Sequence, residues 1–226
     1  MRYLLVTMLI VAMTSAASAQ LTPTYEQQVH DFGQVEIDYL IFHSYVVSNN
    51  GDRPVRIDSL QLKCDCTIVR VADSVVAPGD SVTLRLRFNT ADYYGPTNRS
   101  FTVFTDSPNH PQFDLFYQAV VGQWVTGMRP RPLSLFFLPS HKSKTVRFPN
   151  PRLDGAHLSI VEQYDTTYSV RLTVDEADKG EFLELSVTPN ANLSKGTYHS
   201  SLTVAVDAEN VKRPILFTIP IKIVRY

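Results

Sequence analysis

The sequence predicts an all-β chain of two tandem β-sandwich domains behind a cleaved signal peptide, and three observations carry that prediction. Short stretches of alternating apolar and polar residues, closed by Gly, Pro, Asn or Asp clusters, recur about every ten residues, and no window joins a helical period to caps. Residues 79–122 align without a gap onto 180–223, at a fixed offset of 101. The first nineteen residues have a composition unlike anything that follows.

The leader reads Met1-Arg2-Tyr3, then the apolar run Leu4 to Met13, then Thr14-Ser15-Ala16-Ala17-Ser18-Ala19. A basic start, an apolar core of about ten residues and an Ala-x-Ala end make residues 1–19 a secretory signal, cleaved after Ala19. A bilayer span needs about twenty apolar residues, and neither this run nor any later segment reaches that length. No cysteine follows the cleavage point, which argues against a lipid anchor there. The expected mature chain is exported and has no membrane span. It carries 20 basic against 22 acidic residues, a net of −2, because Arg2 leaves with the signal. That balance offers phosphates no counter-charge, so nucleic acid is not the expected partner. Two cysteines cannot staple an exported chain of this size, so apolar packing must hold it together.

The repeat sets the domain plan. Gly79 falls on Gly180, Leu84 on Leu185, Leu86 on Val187, Gly95 on Gly196 and Asp106 on Asp207. Phe101-Thr102-Val103 falls on Leu202-Thr203-Val204, and Leu115-Phe116 on Leu216-Phe217. The expected domains are 20–123 and 133–226. A linker over 124–132 is stiffened by Pro130 and Pro132, and Trp124 lies at the junction.

In the first domain Val29 to Val35 is a short edge-like strand broken by Gly33. Leu40 to Ser48 follows and ends in the turn cluster Asn49-Asn50-Gly51-Asp52. Both faces of that strand are apolar, so its inward face is undecided. Val55 to Asp58 alternates, and the phase slips before Leu60-Gln61-Leu62, which predicts a β-bulge ahead of the cysteines. Thr67 to Val71 precedes the turn Ala77-Pro78-Gly79-Asp80. Val82 to Phe88 alternates most cleanly, and Arg99 to Thr105 and Gln112 to Val121 complete the set. The second domain repeats the plan with Leu133–Phe137, Lys144–Phe148, Leu158–Val161, Tyr168–Val174, Phe182–Val187, Tyr198–Val206 and Ile215–Val224.

Several spaced motifs then carry a resemblance. They are Asp31-Phe32-Gly33, Tyr45-x-Val47-x-Asn49-x-Gly51-Asp52-x-Pro54, Cys64-Asp65-Cys66-Thr67, Ala77-Pro78-Gly79 and Leu84-x-Leu86-x-Phe88. Over about residues 30–122 the chain resembles an uncharacterised bacterial family of exported Ig-like domains marked by Phe-Gly, Asn-x-Gly, Cys-Gly-Cys-Thr and Pro-Gly. That family is similar in turn to the ASPM/SPD-2/Hydin and major-sperm-protein group of sandwiches. The resemblance implies two tandem Ig-like β-sandwich domains in a periplasmic or secreted bacterial protein, and it implies no activity. Asp65 stands where that family carries glycine, and a positive φ there would suit Asp less well. The second domain has no cysteines.

Cys64 and Cys66 are the candidate site, and three roles fit them. They are small, soft side chains that close a strand and pack. As a disulfide they need a kinked backbone, because an extended i,i+2 separation approaches about 7 Å, the far limit for the bond. As thiolates they suit copper(I) or zinc, but zinc wants four ligands, and the further ones would have to come from His30, His43 or His110, none at a recognisable spacing.

Other candidates read more simply. His43 alternates within a strand as a half-buried core or surface residue. Asp73, Asp80, Asp175, Glu176 and Asp178 read as solvated turn residues, not an acid–base dyad. No nucleophile elbow or phosphate loop occurs. Leu135-Phe136-Phe137-Leu138 is either a partner patch or a strand buried on one side. The expectation is a non-enzymatic binding or structural module with no cofactor, whose partner is a protein or cell-envelope component. The alternative is a periplasmic copper-handling or thiol-redox protein acting through Cys64 and Cys66.

Overall fold

The computed structural model describes residues 21–22, 28–124 and 127–226. The signal over 1–19 and its cleavage point, and residues 125–126 of the linker, lie outside the described residues. The first half holds β1 (Leu21–Thr22), β2 (Val29–Val35), β3 (Leu40–Asn49), β4 (Val55–Leu62), β5 (Thr67–Val71), β6 (Val75–Val76), β7 (Ser81–Asn89), β8 (Gly95–Thr105) and β9 (Gln112–Val121). The second holds β10 (Leu135–Phe137), β11 (Lys144–Pro149), β12 (Ala156–Gln163), β13 (Tyr168–Val174), β14 (Glu176–Ala177), β15 (Phe182–Pro189), β16 (Gly196–Asp207) and β17 (Ile215–Arg225).

These strands enclose two apolar cores, one built from Leu21 to Val121 and one from Met128 to Ile223. A four-stranded sheet, β1-β3-β7-β5, covers the first core from one side, and a three-stranded sheet, β11-β15-β13, covers the second. The opposite layer of both is one ten-stranded sheet in the order β14-β12-β16-β17-β2-β9-β8-β4-β6, with β10 also paired to β17. Alternation builds the layers. In β7 Val82, Leu84, Leu86 and Phe88 are buried while Arg85 points to water. The predicted strands are all present. The sequence did not reveal β1, β6 and β14, since two residues are too few to show a period.

The bulge falls where the phase slip put it, between Ile57 and Ser59, and β12 carries a second one between Ile160 and Glu162, two residues beyond the equivalent position. One part of the repeat needs correction. Phe101 faces Leu115, fourteen positions on, but its counterpart Leu202 faces Ile219, seventeen on. The closing hairpin of the second copy is therefore longer, and the gapless alignment fails in the last strand. It set exposed Phe116 against buried Phe217.

The offset of 101 nevertheless reaches further back than the sequence comparison found. Asn49 and Asn150 are both buried, Asn49 as the last residue of β3 and Asn150 directly after β11. The Asn49 Nδ2 donates to the carbonyls of Arg53 and Val76, and the Asn150 Nδ2 to those of Leu153 and Ala177. Each backbone carbonyl accepts from a turn glycine, Gly79 or Gly180.

The junction explains why both faces of β3 are apolar. Ile41, Tyr45 and Val47 enter the first core, while Phe42 is also buried and its ring lies 5.1 Å from that of Tyr164 in the second half. Ser201 acts as a substitute strand partner: its hydroxyl accepts from the Phe42 N–H and donates to the Phe42 carbonyl. Alongside, β2 pairs with β9 on one edge and meets β17 on the other, with Gln34 opposite Phe217. Residues after β9 lie against the second core. Trp124 stacks on Phe217, Met128 is fully buried, and Arg131 bridges to Arg147.

Candidate functional site

After Leu62 the chain turns through Lys63 to Cys66, and Cys64 and Cys66 are joined in a disulfide with Cα atoms 5.2 Å apart. The backbone is thus bent well inside the extended spacing, which is what a bond over this separation requires. Two contacts seat the turn. The Asn89 N–H donates to the Cys66 carbonyl at 2.8 Å, and the Thr67 hydroxyl lies against both sulfurs while bonding the buried Tyr117 hydroxyl. Asp65 is exposed, and Asp38 is the one non-glycine residue with positive φ among the described residues, so the departure from glycine at position 65 introduces no strain of that kind.

In this bonded form neither sulfur is a thiolate, so neither is a metal ligand. Among the described residues, no group of three ligating side chains includes a cysteine. The histidines considered as completing ligands go elsewhere. His110 lies in the β8–β9 loop, where its carbonyl accepts from Thr105. His30 and His43 meet each other and Glu162 of the second half.

That meeting is the second feature of the site. The bulge in β12 and the end of the sandwich bring Glu162 to the uncovered edge of β3. Its carboxylate oxygens lie 2.8 and 2.9 Å from His43 Nδ1, and its Oε1 accepts from the Ser44 N–H at 3.4 Å. A carboxylate only accepts, so Nδ1 carries the proton. The His30 ring stacks on that of His43, with centroids 3.6 Å apart and planes 11° apart. His30 Nε2 is buried, makes no hydrogen bond and stands 3.6 Å from Glu162 Oε2. Burial, reinforced by the neighbouring His43, holds the His30 imidazole well below its usual range, so the ring is neutral. Phe32 and Tyr45 set their ring edges or faces at right angles to His30 and His43 respectively.

Sequence reasoning treated His30 and His43 singly and missed Glu162 altogether. The available signal was weak: a lone carboxylate after Ile160-Val161, late in the strand that repeats β4. Asp73, Asp80, Asp175 and Asp178 are exposed outside the strands as expected, with Asp73 accepting from the Val75 N–H, whereas Glu176 belongs to β14 and pairs with His157. Leu135 and Phe137 are buried and Phe136 is exposed, so that segment is a strand buried on one side. No helix among the described residues is long and apolar enough to cross a membrane.

Residues 23–120 match the family described as a protein of unknown function, DUF1573, a span that covers most of the first core and stops before the second. No curated protein matches the chain. Among solved structures the chain is similar to a protein of unknown function from Porphyromonas gingivalis W83, at 11% identity over 92% of this chain and 100% of that one, with a TM-score of 0.37. It is similar to the VesB protease of Vibrio cholerae at 11% identity and a TM-score of 0.37, over 46% of this chain and only 32% of the protease. The tandem Ig repeats of Dlar match at 10% identity over 92% of this chain and 98% of that one, with a TM-score of 0.30. Likenesses this distant carry nothing about activity.

Proposed function

We propose that the protein is an exported, non-enzymatic binding or structural module that offers loops and free sheet edges to a protein or cell-envelope partner. The observation that carries this reading is a pair of open edges on the two smaller sheets. β5 and β13 each end a sheet, at equivalent places in the two halves. The Asn89 N–H bonds Cys66, and the Ala72 N–H bonds Thr83. In an antiparallel ladder that pattern turns the backbone groups of Ile68 and Arg70 toward β7 and those of Val69 outward. A free row of this kind accepts an added strand. Export is supported by the leader and a binding role by the near-neutral charge.

The test is a photo-crosslinking residue at Arg70 in the living cell, with and without Val69→Pro, which blocks the outward row and spares the ladder. A specific envelope component crosslinked by the first protein and lost in the second supports the reading. No crosslinked product, together with an unchanged envelope on deletion, removes it.

A second reading, thiol-redox or copper chemistry at Cys64 and Cys66, draws on one observation. A bond closing so short a loop restrains the unfolded chain very little, so stability does not account for it. Thiol counting and elemental analysis of native protein separate the two: inert sulfurs without copper support the binding module, and a readily cycled pair or bound copper supports the second.

A further inference from the structure

We infer that His30, His43 and Glu162 form a binding site for a divalent first-row transition ion, with zinc the natural probe, that clasps the two sandwiches together. The site draws on three of the strands that meet at the junction: β2 and β3 from the first half and β12 from the second.

A purely structural reading explains part of this cluster. Glu162 satisfies the His43 Nδ1–H and covers the Ser44 N–H on the open edge of β3. It does not explain His30. A buried imidazole nitrogen without a partner is a standing expense of desolvation unless something fills the place, and this one is turned toward the same carboxylate. The stacked rings thus present two nitrogens to one pair of oxygens.

The donor set fits, and the spacing fits once one ring turns out of the stack, because planes 11° apart with centroids at 3.6 Å point their lone pairs side by side and an ion needs them to converge. Two imidazoles and a carboxylate are the three-ligand set of open zinc sites, with water in the fourth place, and they suit this ion better than calcium or magnesium, which want oxygens alone. One ligating atom from each residue lies within 4.8 Å of the others. A tetrahedral ion with bonds of about 2.0–2.1 Å sets its ligands a little over 3 Å apart, and the two distances to Glu162 Oε2, 2.8 and 3.6 Å, already straddle that value. The ion would replace the proton that His43 now shares with Glu162. The side chains of His30, His43 and Glu162 are 10%, 16% and 20% exposed, which leaves room for entry and for the water. The Ser44 N–H already orients one carboxylate oxygen, the kind of outer support that ligating carboxylates have.

The experiment uses metal-stripped mature chain, titrated with zinc by calorimetry, counted by native mass spectrometry, and repeated with cobalt(II) to read geometry from its visible spectrum. The expected result is one ion per chain, a tetrahedral cobalt spectrum, and a thermal midpoint that rises with free zinc because only the folded chain holds the site. Glu162→Gln and His30→Gln should each weaken binding by more than about tenfold, the least that even an outer-shell partner is worth. A double Cys64→Ser, Cys66→Ser variant should bind as the parent does. Folding of each variant is checked by circular dichroism, and His30→Gln removes no hydrogen bond, so it stands if Glu162→Gln fails to fold. No stoichiometric uptake by the parent chain overturns the inference. So does uptake undiminished in His30→Gln, or lost only with the cysteines.

Discussion

At the scale of single residues the fold depends on polar side chains placed where a strand ladder runs out. Asn49 is fully buried and feeds both Nδ2 hydrogens to the carbonyls of Arg53 and Val76, while its Oδ1 accepts from Gly51. Alanine there leaves two carbonyls without donors, so Asn49→Ala should destabilise by about 2–4 kcal/mol. Asn150→Ala, which strands Leu153 and Ala177, should cost a similar amount. Urea unfolding measures both, and a loss well under 1 kcal/mol would show that water repairs the gap. The disulfide makes the opposite case. Closing three residues restrains the unfolded chain by about 1.6 kcal/mol at most, so changing Cys64 and Cys66 together to alanine should shift stability less than either asparagine does. A larger loss would mean that the bond holds the Thr67–Tyr117 contact beneath it.

Among the elements, the most exacting contact is the one between β2 and β17. Gly33 has a φ of +64°, and a Cβ built on it would stand 2.2 Å from the Leu216 carbonyl oxygen. Gly33→Ala therefore strains its own backbone and pushes the two strands apart, at about 2 kcal/mol or more. The change touches neither core, so hydrogen exchange should quicken at the Gln34–Phe217 crossing and stay slow in β7 and β15. Unchanged exchange at that crossing would mean that the shared sheet is not held there. Gly33 also marks the boundary of what a sequence can disclose. As a glycine inside a strand pattern it announces a break, but its partner lies 183 positions away in β17, and no local period encodes that meeting. The strands themselves were legible because alternation is local. The bulge was legible because a bulge is a slip of phase. The inward face of β3 was not, because Phe42 is covered by another half of the molecule. For the same reason the candidate site was half legible: Cys64 and Cys66 are neighbours in the chain, whereas Glu162 reaches His43 only through the packing of the two halves.

Over the whole molecule, the two cores share a weakness to alkali. Tyr45 and Tyr117 lie in the first core and Tyr168 in the second, with hydroxyls bonded to the Phe116 carbonyl, the Thr67 hydroxyl and the Ser201 carbonyl. Burial is the largest cause in each case, and it raises all three phenols above the ordinary value of 10.0. The sign follows from linkage. The unfolded chain releases these protons near pH 10 and the folded chain holds them, so folding is undisturbed below pH 10 and loses stability as pH climbs toward the folded values. Each such group contributes about 1.4 kcal/mol of loss per pH unit within that window. The three buried phenols should ionise above pH 10, in step with loss of β-sheet circular dichroism. Because Ser201 ties Tyr168 to β3, where Tyr45 sits, both cores should go in one transition, and Tyr45→Phe should move it to higher pH. Absorbance at 295 nm against circular dichroism follows both events. If Tyr45, Tyr117 and Tyr168 titrate reversibly near pH 10 while the sheet signal persists, the phenols are not sealed in and the two cores are not tightly coupled.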